Sequence, residues 1–209
     1  MPQLRVFQVP LTALLRGEKT AGLILASASP RRRELLAMAG VPFEVLTSGA
    51  DEGLPPGILP DKAVLELSRR KAAAVRALPQ SAGKIILAAD TVVELQGRIL
   101  GKPRSREQAA QMLRALSGRT HRVYTGVCLL GGDEKSKSFY ECTEVTFYPL
   151  SGQEIDWYVS TGEPMDKAGA YGIQGAGALL VEGIRGDYYN VMGLPLARVV
   201  RELAQLLRC

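Results

Sequence analysis

The sequence predicts a mixed α/β protein built on one elongated, twisted sheet flanked by helices. Three observations predict it. Strand-like and helix-like stretches alternate through the first half of the chain, the pattern of strand–helix–strand crossovers. Two long strand-like stretches, HRVYTGVCLL and SFYECTEVTFY, then follow one another with only GGDEKSK between them, which reads as an antiparallel pair. Finally, a chain of 209 residues that is 46% hydrophobic and 22% charged can close one sizeable core, as one domain or two tightly joined lobes.

Residues 1–22 read as an extension ahead of a domain at 23–209. The extension mixes Arg, Gln, Pro and Lys among its apolar residues and lacks the uninterrupted apolar centre of a secretory signal. Leu23-Ile24-Leu25-Ala26 is a short buried-type strand, punctuated by SASP; RRRELLAMAG is a short helix closed by Gly40. FEVLTS is a second strand, running into the Gly/Pro-rich loop GADEGLPPGILP. A helix is expected from about Asp61 to Leu78, then an apolar strand KIILAAD ending at Asp90, then a hairpin TVVELQGRIL turning at Gln96-Gly97. Ser105 with Gln108 and Ser151 with Glu154 make capping boxes for two further helices. The stretch GEPMDKAGAYGIQGAGALL is irregular and Gly-rich, a composition found in functional loops. A last helix from about Leu196 to Leu207 carries a core-facing apolar stripe.

Composition narrows the function. The chain has no window near ~18 consecutive apolar residues, which excludes a spanning helix. Its three cysteines, Cys128, Cys142 and Cys209, have no metal-ligand spacing and read as a reduced, cytoplasmic set. His121 is the single histidine, so a His-rich metal cluster is impossible and Ser-His-Asp chemistry would have to use that residue. A net charge of +5 suits an anionic partner. Nucleic acid is disfavoured, because there is no long Lys/Arg run and little aromatic interleaving.

The unit LILASASPRRREL places Ser27, Ser29, backbone amides and three arginines at a helix N-terminus, where amides and dipole favour phosphate oxygens. On a helical wheel Leu35, Leu36, Met38 and Ala39 form the buried arc. Arg32 lies beside it and Arg31 near its edge, so both suit a forked phosphate clamp, while Arg33 is solvated. In the next helix Lys71 falls near the centre of the face made by Val64, Leu67, Ala74, Val75 and Leu78. It must snorkel, pair with a carboxylate, or enter a polar cavity; Arg69 and Arg70 read as solvated. Asp90, at the end of an apolar strand, is placed to bind metal or activate water, with a turn cap beside Thr91 as the plain alternative. Asp51 or Glu52 can share its site, and such a pair of hard oxygen ligands suits Mg²⁺ or Mn²⁺. Lys102 in GKPRS and Asp166-Lys167 add weaker signals. Hydroxyls, arginines, lysines and acids with almost no histidine suit phosphoanhydride hydrolysis by charge neutralisation and a metal-activated water. Neither a P-loop nor a GxGxxG motif occurs.

From about Leu23 to its end the chain resembles the Maf family of nucleotide pyrophosphatases, through LASASPRR, AADT, GKP, LSGRTHRVYTGV, EPMDKAGAYGIQG and GLPL. The resemblance implies an elongated α/β fold with a central cleft between two lobes, similar to inosine triphosphatases, and a homodimer. It places functional residues at Ser27, Arg31, Arg32, Glu52, Lys71, Asp90, Lys102 and Gln174. Among these the resemblance implies that Asp90 is catalytic; Glu52 and Asp90 are expected to hold the divalent metal, Mg²⁺ or Mn²⁺, and the rest to bind substrate. Glu52 is thereby chosen over Asp51, and Gln174 rests on the resemblance alone. SPRR, ADT and DKAGAYGIQG are similar to the members acting on dTTP and UTP, whereas those acting on 7-methyl-GTP carry SPWR and a glutamine after the aspartate. The chain departs from the pattern in its N-terminal segment and in Ala88, where many relatives have glycine. A nucleotide-sensing regulator of cell division acting through protein partners is the alternative function. Against it, a sensor gains nothing from paired carboxylates near an anionic ligand.

Overall fold

Strand β3 (Ile85–Leu95) is the axis of the molecule. The computed structural model describes residues 22–47, 49–131 and 135–208. The N-terminal extension up to residue 21, the middle of GGDEKSK and Cys209 lie outside the described residues. The other strands are β1 (Leu23–Leu25), β2 (Glu44–Val45), β4 (Arg98–Leu100), β5 (Thr120–Leu130), β6 (Ser136–Phe147) and β7 (Val181–Arg185). They form one mixed sheet in the order β2-β1-β3-β5-β6-β7, with β4 also pairing β3. Strands β1, β2 and β3 run parallel, and all later pairings are antiparallel.

One edge of β3 pairs with β5 continuously from Ile86 to Glu94. The other is divided: β1 takes Ile85–Leu87 and β4 takes Val93–Leu95, joined to β3 through Gln96 and Gly97 at φ 52° and 79°. Both central residues at positive φ make the tight hairpin turn expected there. Between β1 and β4 the sheet therefore forks, and Asp90 lies in the fork. The strand does not stop at Asp90, as its apolar run predicts. The unbroken β5 ladder and the β-branched Thr91, Val92 and Val93 carry it on, and what ends near Asp90 is its parallel neighbour.

Side chains alternate across β3, and the alternation assigns each face to different helices. Ile86 and Ala88 pack with Ala72 and Val75 of α2 (Pro60–Arg76). Ile85, Leu87 and Ala89 pack with Leu35 and Leu36 of α1 (Pro30–Met38). Asp90 continues the α2 face, and Thr91 the α1 face. A second cluster beyond the fork joins Val93 and Leu95 to α3 (Arg106–Leu116) and α4 (Gly152–Ser160). The GEPMDKAGAYGIQGAGALL stretch forms short 3₁₀ turns at Glu163–Asp166, Ala168–Ala170 and Gly175–Leu180. A five-residue helix, α5 (Tyr188–Met192), precedes α6 (Leu196–Arg208), whose Leu196, Val199 and Leu203 enter the α1-side core. No described helix is long and apolar enough to cross a membrane.

Local chemistry explains most of the boundaries. Ser29 caps α1, with Pro30 at its first turn, and Gly40 adopts φ 68° just past its end. Ser151 and Glu154 form the expected reciprocal cap of α4. At α3, Ser105 Oγ accepts from Gln108 N, but Gln108 Oε1 reaches back to Arg104 N rather than to Ser105. Met38, expected in the buried arc of α1, is instead 55% exposed at the last position of the helix, while Leu35, Leu36 and Ala39 face the core. Strand β2 is shorter than FEVLTS predicts: Glu44 and Val45 are in register with β1, Leu46 N adds one bond to the Leu25 carbonyl, and Ser48 lies outside the described residues.

Gly126 of β5 sits opposite Asp90 and on the same face. A Cβ there would fall inside the contact distance of the Val64 carbonyl and 2.8 Å from Leu65 N, so α2 rests its backbone directly on this glycine. Gly126→Ala must lift α2 off the sheet. A stability loss of about 1–3 kcal/mol is expected, read as a lowered thermal or urea midpoint. An unchanged midpoint would mean that α2 does not bear on the sheet at this point.

Candidate active site

The fork opens onto a cleft of about 670 Å³. Ser27, Arg31, Arg32, Glu52, Lys71, Asp90, Lys102 and Gln174 all line it. Residues separated by up to most of the chain length are thus gathered on one surface.

The α1 side is built from the turn that follows β1. Ser27 Oγ accepts from Ser29 N at 3.2 Å and from Arg32 Nη1 at 3.3 Å, which leaves its own hydroxyl hydrogen to donate. Arg32 is inserted across the fork. Its Nε donates to the Gly193 carbonyl at 2.7 Å and its Nη2 to Thr91 Oγ1 at 2.9 Å. Of the five N–H bonds of a guanidinium, three are therefore committed to the protein and two remain for a ligand. Burial pushes the Arg32 guanidinium below its ordinary range, partly offset by the charge of Asp90. Arg31 lines the cleft from the preceding position of the same helix.

On the opposite face of β3, Lys71 settles its three alternatives by pairing. Its Nζ lies 2.5 Å from Asp90 Oδ1 and 2.7 Å from Glu52 Oε1. Seating α2 on Gly126 is what brings the ammonium to the strand. The loop carrying Glu52 is fixed by the neighbouring Arg70, which donates to the Gly53 carbonyl at 2.7 Å and to Glu66 at 2.8 Å. Arg70 is thus a structural tether and not a solvated residue as its helical position suggests. Asp51 turns outward, 85% exposed, and accepts from Gly53 N. The hydrogen bond and charge of Lys71 hold the Glu52 carboxyl below the usual carboxylate range, with smaller help from Lys102 and Arg32.

Lys102, after β4, and Gln174, among the 3₁₀ turns, form the far wall with Asp166, Lys167 and Tyr171. Lys167 Nζ donates to Asp166 Oδ1 at 2.7 Å. His121 takes no part in the cleft surface. It is buried against Phe147 and Tyr171, with Nε2 2.7 Å from Tyr171 Oη, and burial pushes it down to about 4. Enclosed behind the wall, with Nε2 on the Tyr171 hydroxyl and no serine or aspartate on either nitrogen, the imidazole rules out the Ser-His-Asp scheme that composition left to this one residue.

Sequence reasoning misses the hydroxyls behind Arg32. Thr91 Oγ1 lies 2.9 Å from Thr125 Oγ1, which donates to the Asn190 carbonyl at 3.0 Å. Asn190 Nδ2 donates to the Val123 carbonyl and to Thr143 Oγ1, both at 3.0 Å. Thr125, Thr143 and Asn190 are fully buried. The available signal is the presence of threonines on one face of adjacent strands, Thr91 and Thr125 being register partners.

A family model described as Maf-like protein matches residues 22–206. A dTTP/UTP pyrophosphatase of Bacillus cereus is 51% identical over 189 residues, covering 90% of this chain and 92% of its own. One from Bacillus anthracis is 52% identical over 183 residues, covering 88% and 94%. Partial likeness in shape extends to a Coxiella burnetii HAM1 protein, with TM-score 0.47 and 14% identity over 89% of this chain and 100% of that one. A Mycobacterium abscessus nucleoside-triphosphatase/dITP/XTP pyrophosphatase gives 0.42 at 14% identity, over 88% and 97%.

The pairing of Glu52 with Lys71 has a definite pH sign. A carboxyl lowered in the folded state stabilises the fold above its unfolded value, and that contribution is lost as the pH falls through the lowered value. An NMR titration of the Glu52 side-chain carbonyl should have its midpoint below that of a free glutamate, and Lys71→Met should move it upward. An identical midpoint in the two proteins would refute the pairing.

Proposed function

Because the chain belongs to the Maf-like protein family, we propose that it hydrolyses nucleoside triphosphates, dTTP and UTP foremost, to the monophosphate and pyrophosphate. The observation that carries this reading is the meeting of two carboxylates, Glu52 and Asp90, at one cationic centre in a cleft otherwise supplied with arginines and lysines. The substrate pair is supported by relatives of that name at 51% and 52% identity along nearly the whole chain. The work is that of housecleaning in a cytoplasmic nucleotide pool.

The residues fit a divalent cation. Glu52 and Asp90 are hard oxygen donors, and both already contact a single cation, the Lys71 ammonium. Among the described residues no group of three or more His, Cys, Asp and Glu could hold a metal, so Mg²⁺ or Mn²⁺ would complete its shell with water and phosphate oxygens. When bound, the ion neutralises phosphate charge and makes a water more acidic.

The chain supplies the rest. Arg31, Lys71 and Lys102 hold the triphosphate, with the two uncommitted N–H groups of Arg32 and the hydroxyl of Ser27 completing the cradle. Asp90 accepts the proton of the water that attacks the α-phosphorus. The bond to the β-phosphate oxygen breaks, and the lysines and arginines neutralise the departing pyrophosphate. Gln174, on the far wall, reads the base or orients a phosphate.

Product analysis by mass spectrometry tests the reading: dTTP or UTP with Mg²⁺ or Mn²⁺ should give monophosphate and pyrophosphate, faster than 7-methyl-GTP. Diphosphate with orthophosphate would overturn the site of attack, and a preference for 7-methyl-GTP would overturn the substrate. A second expectation concerns Asp90→Asn, which keeps the shape but removes the base. Turnover should fall by at least ~10²-fold while triphosphate binding persists. Near-normal pyrophosphate release would make Asp90 a structural residue and move the search to Glu52.

A further inference from the structure

The cleft wall that carries Gln174 has little regular structure, yet it is gathered on one carboxylate. Glu163 Oε1 accepts from Tyr158 Oη at 3.0 Å and from Gly177 N at 3.3 Å, while Oε2 accepts from Ala176 N at 3.0 Å. Tyr158 Oη in turn accepts from Gly172 N at 3.1 Å. The residues on both sides of Gln174 are thus gripped by one Glu163–Tyr158 pair. Tyr158 is fully buried, so the grip is anchored in the core. The carbonyl of Glu163 also accepts from Lys167 Nζ at 2.6 Å, tying the neighbouring Asp166–Lys167 pair to the same residue.

The fit is as close as glycine allows. Gly175 holds φ 68°, and a Cβ there would lie 2.8 Å from Glu163 Oε2. A Cβ on Gly177 would lie 2.7 Å from Tyr158 Oη and press into the Gly172 carbonyl. Glu163 itself does not line the cleft; Gln174 does. Whatever Glu163 contributes to the reaction must therefore pass through the loop it holds.

We infer that Glu163 is a positioning residue for substrate recognition: through the Ala176 and Gly177 amides and Tyr158 Oη it fixes how Gln174 faces the nucleotide. The inference rests on the reading of Gln174 as a substrate contact. A carboxylate is needed because every bond it makes here is an accepted one. Glu163→Gln keeps the shape but turns an NH₂ toward a backbone N–H or a hydroxyl, opposing donor to donor. The reacting carboxylates lie across the cleft, so the loss belongs in KM more than in kcat.

A double-mutant cycle tests it, using the full chain and dTTP or UTP, with thermal melts and amide hydrogen exchange of residues 172–177 measured alongside. Glu163→Gln and Gln174→Ala should each raise KM by about 10-fold to 10²-fold. The double variant should be no worse than the poorer single one, because the two act as a unit. Amides 176 and 177 should exchange faster in Glu163→Gln at a nearly unchanged melting temperature. Tyr158→Phe, which removes the hydroxyl that bonds both Glu163 Oε1 and Gly172 N but leaves the carboxylate on the Ala176 and Gly177 amides, should raise KM in the same direction and serves if Glu163→Gln folds poorly. Effects that multiply in the double variant, or activity lost only in step with the melting temperature, overturn the positioning role. Should Gln174→Ala raise KM while Glu163→Gln is normal, the reading of Gln174 stands and the inference fails. Should Gln174→Ala behave as wild type, that reading fails and the inference with it.

Discussion

One ammonium group ties the site together. Lys71 Nζ draws the loop after β2 and the middle of β3 onto α2, and two carboxylates that would repel each other share its charge. Neither would stay beside the other without a cation between them, since like charges at such range destabilise the ionised pair. The position of that ammonium depends in turn on the absence of a side chain at Gly126, the point where helix and sheet backbones touch. A glycine on one strand therefore decides where an acid on the next strand meets its counter-charge.

The other face of β3 is organised by the same alternation and by a different chemistry. Asp90 faces α2 and is met by charge; Thr91 faces α1 and is met by Arg32, whose guanidinium then spans from the Ser27 turn to the Gly193 carbonyl. Behind Arg32 the hydroxyl of Thr125 and the amide of Asn190 continue the polar chain into the sheet. A buried cation needs such a lining, and every partner it loses costs more than one bond does in water. Two successive residues of one strand thus place the acid and the guanidinium on opposite sides of the sheet, with the fork exposing both to the same cleft.

Much of this is legible in the sequence. The apolar run before Asp90, the capped helix carrying Arg31 and Arg32, and the lysine on an apolar helical face each break a local pattern in a way that asks for a partner. The partners themselves are not legible. Periodicity shows that Lys71 must pair, snorkel or enter a cavity, but the choice follows from a loop whose path is set by Arg70. The strand continues past Asp90 because β5 continues, a long-range fact absent from the local run KIILAAD. Thr125, Asn190 and Glu163 are polar residues with no periodic signature, and their roles come from what folds over them. Strand β7 is an exposed edge without clear alternation, and α5 is one turn long, so neither rises above the loop signals around it. Gln174 is visible only through family resemblance, since nothing in an exposed glutamine between Ile173 and Gly175 marks it out.

The way β3 is held on either side of Asp90 has a mechanical consequence. Ile85, Leu87 and Ala89 are embedded in one core and Val93 and Leu95 in the other, so the strand is a beam clamped at both ends with Asp90 at mid-span. Its partner β5 is bonded along the whole span and stiffens it against bending. A displacement of one core against the other would have to flex this span, at whose centre Asp90 lies. A substitution in either core is thereby coupled through the strand to Asp90, far from the packing it changes.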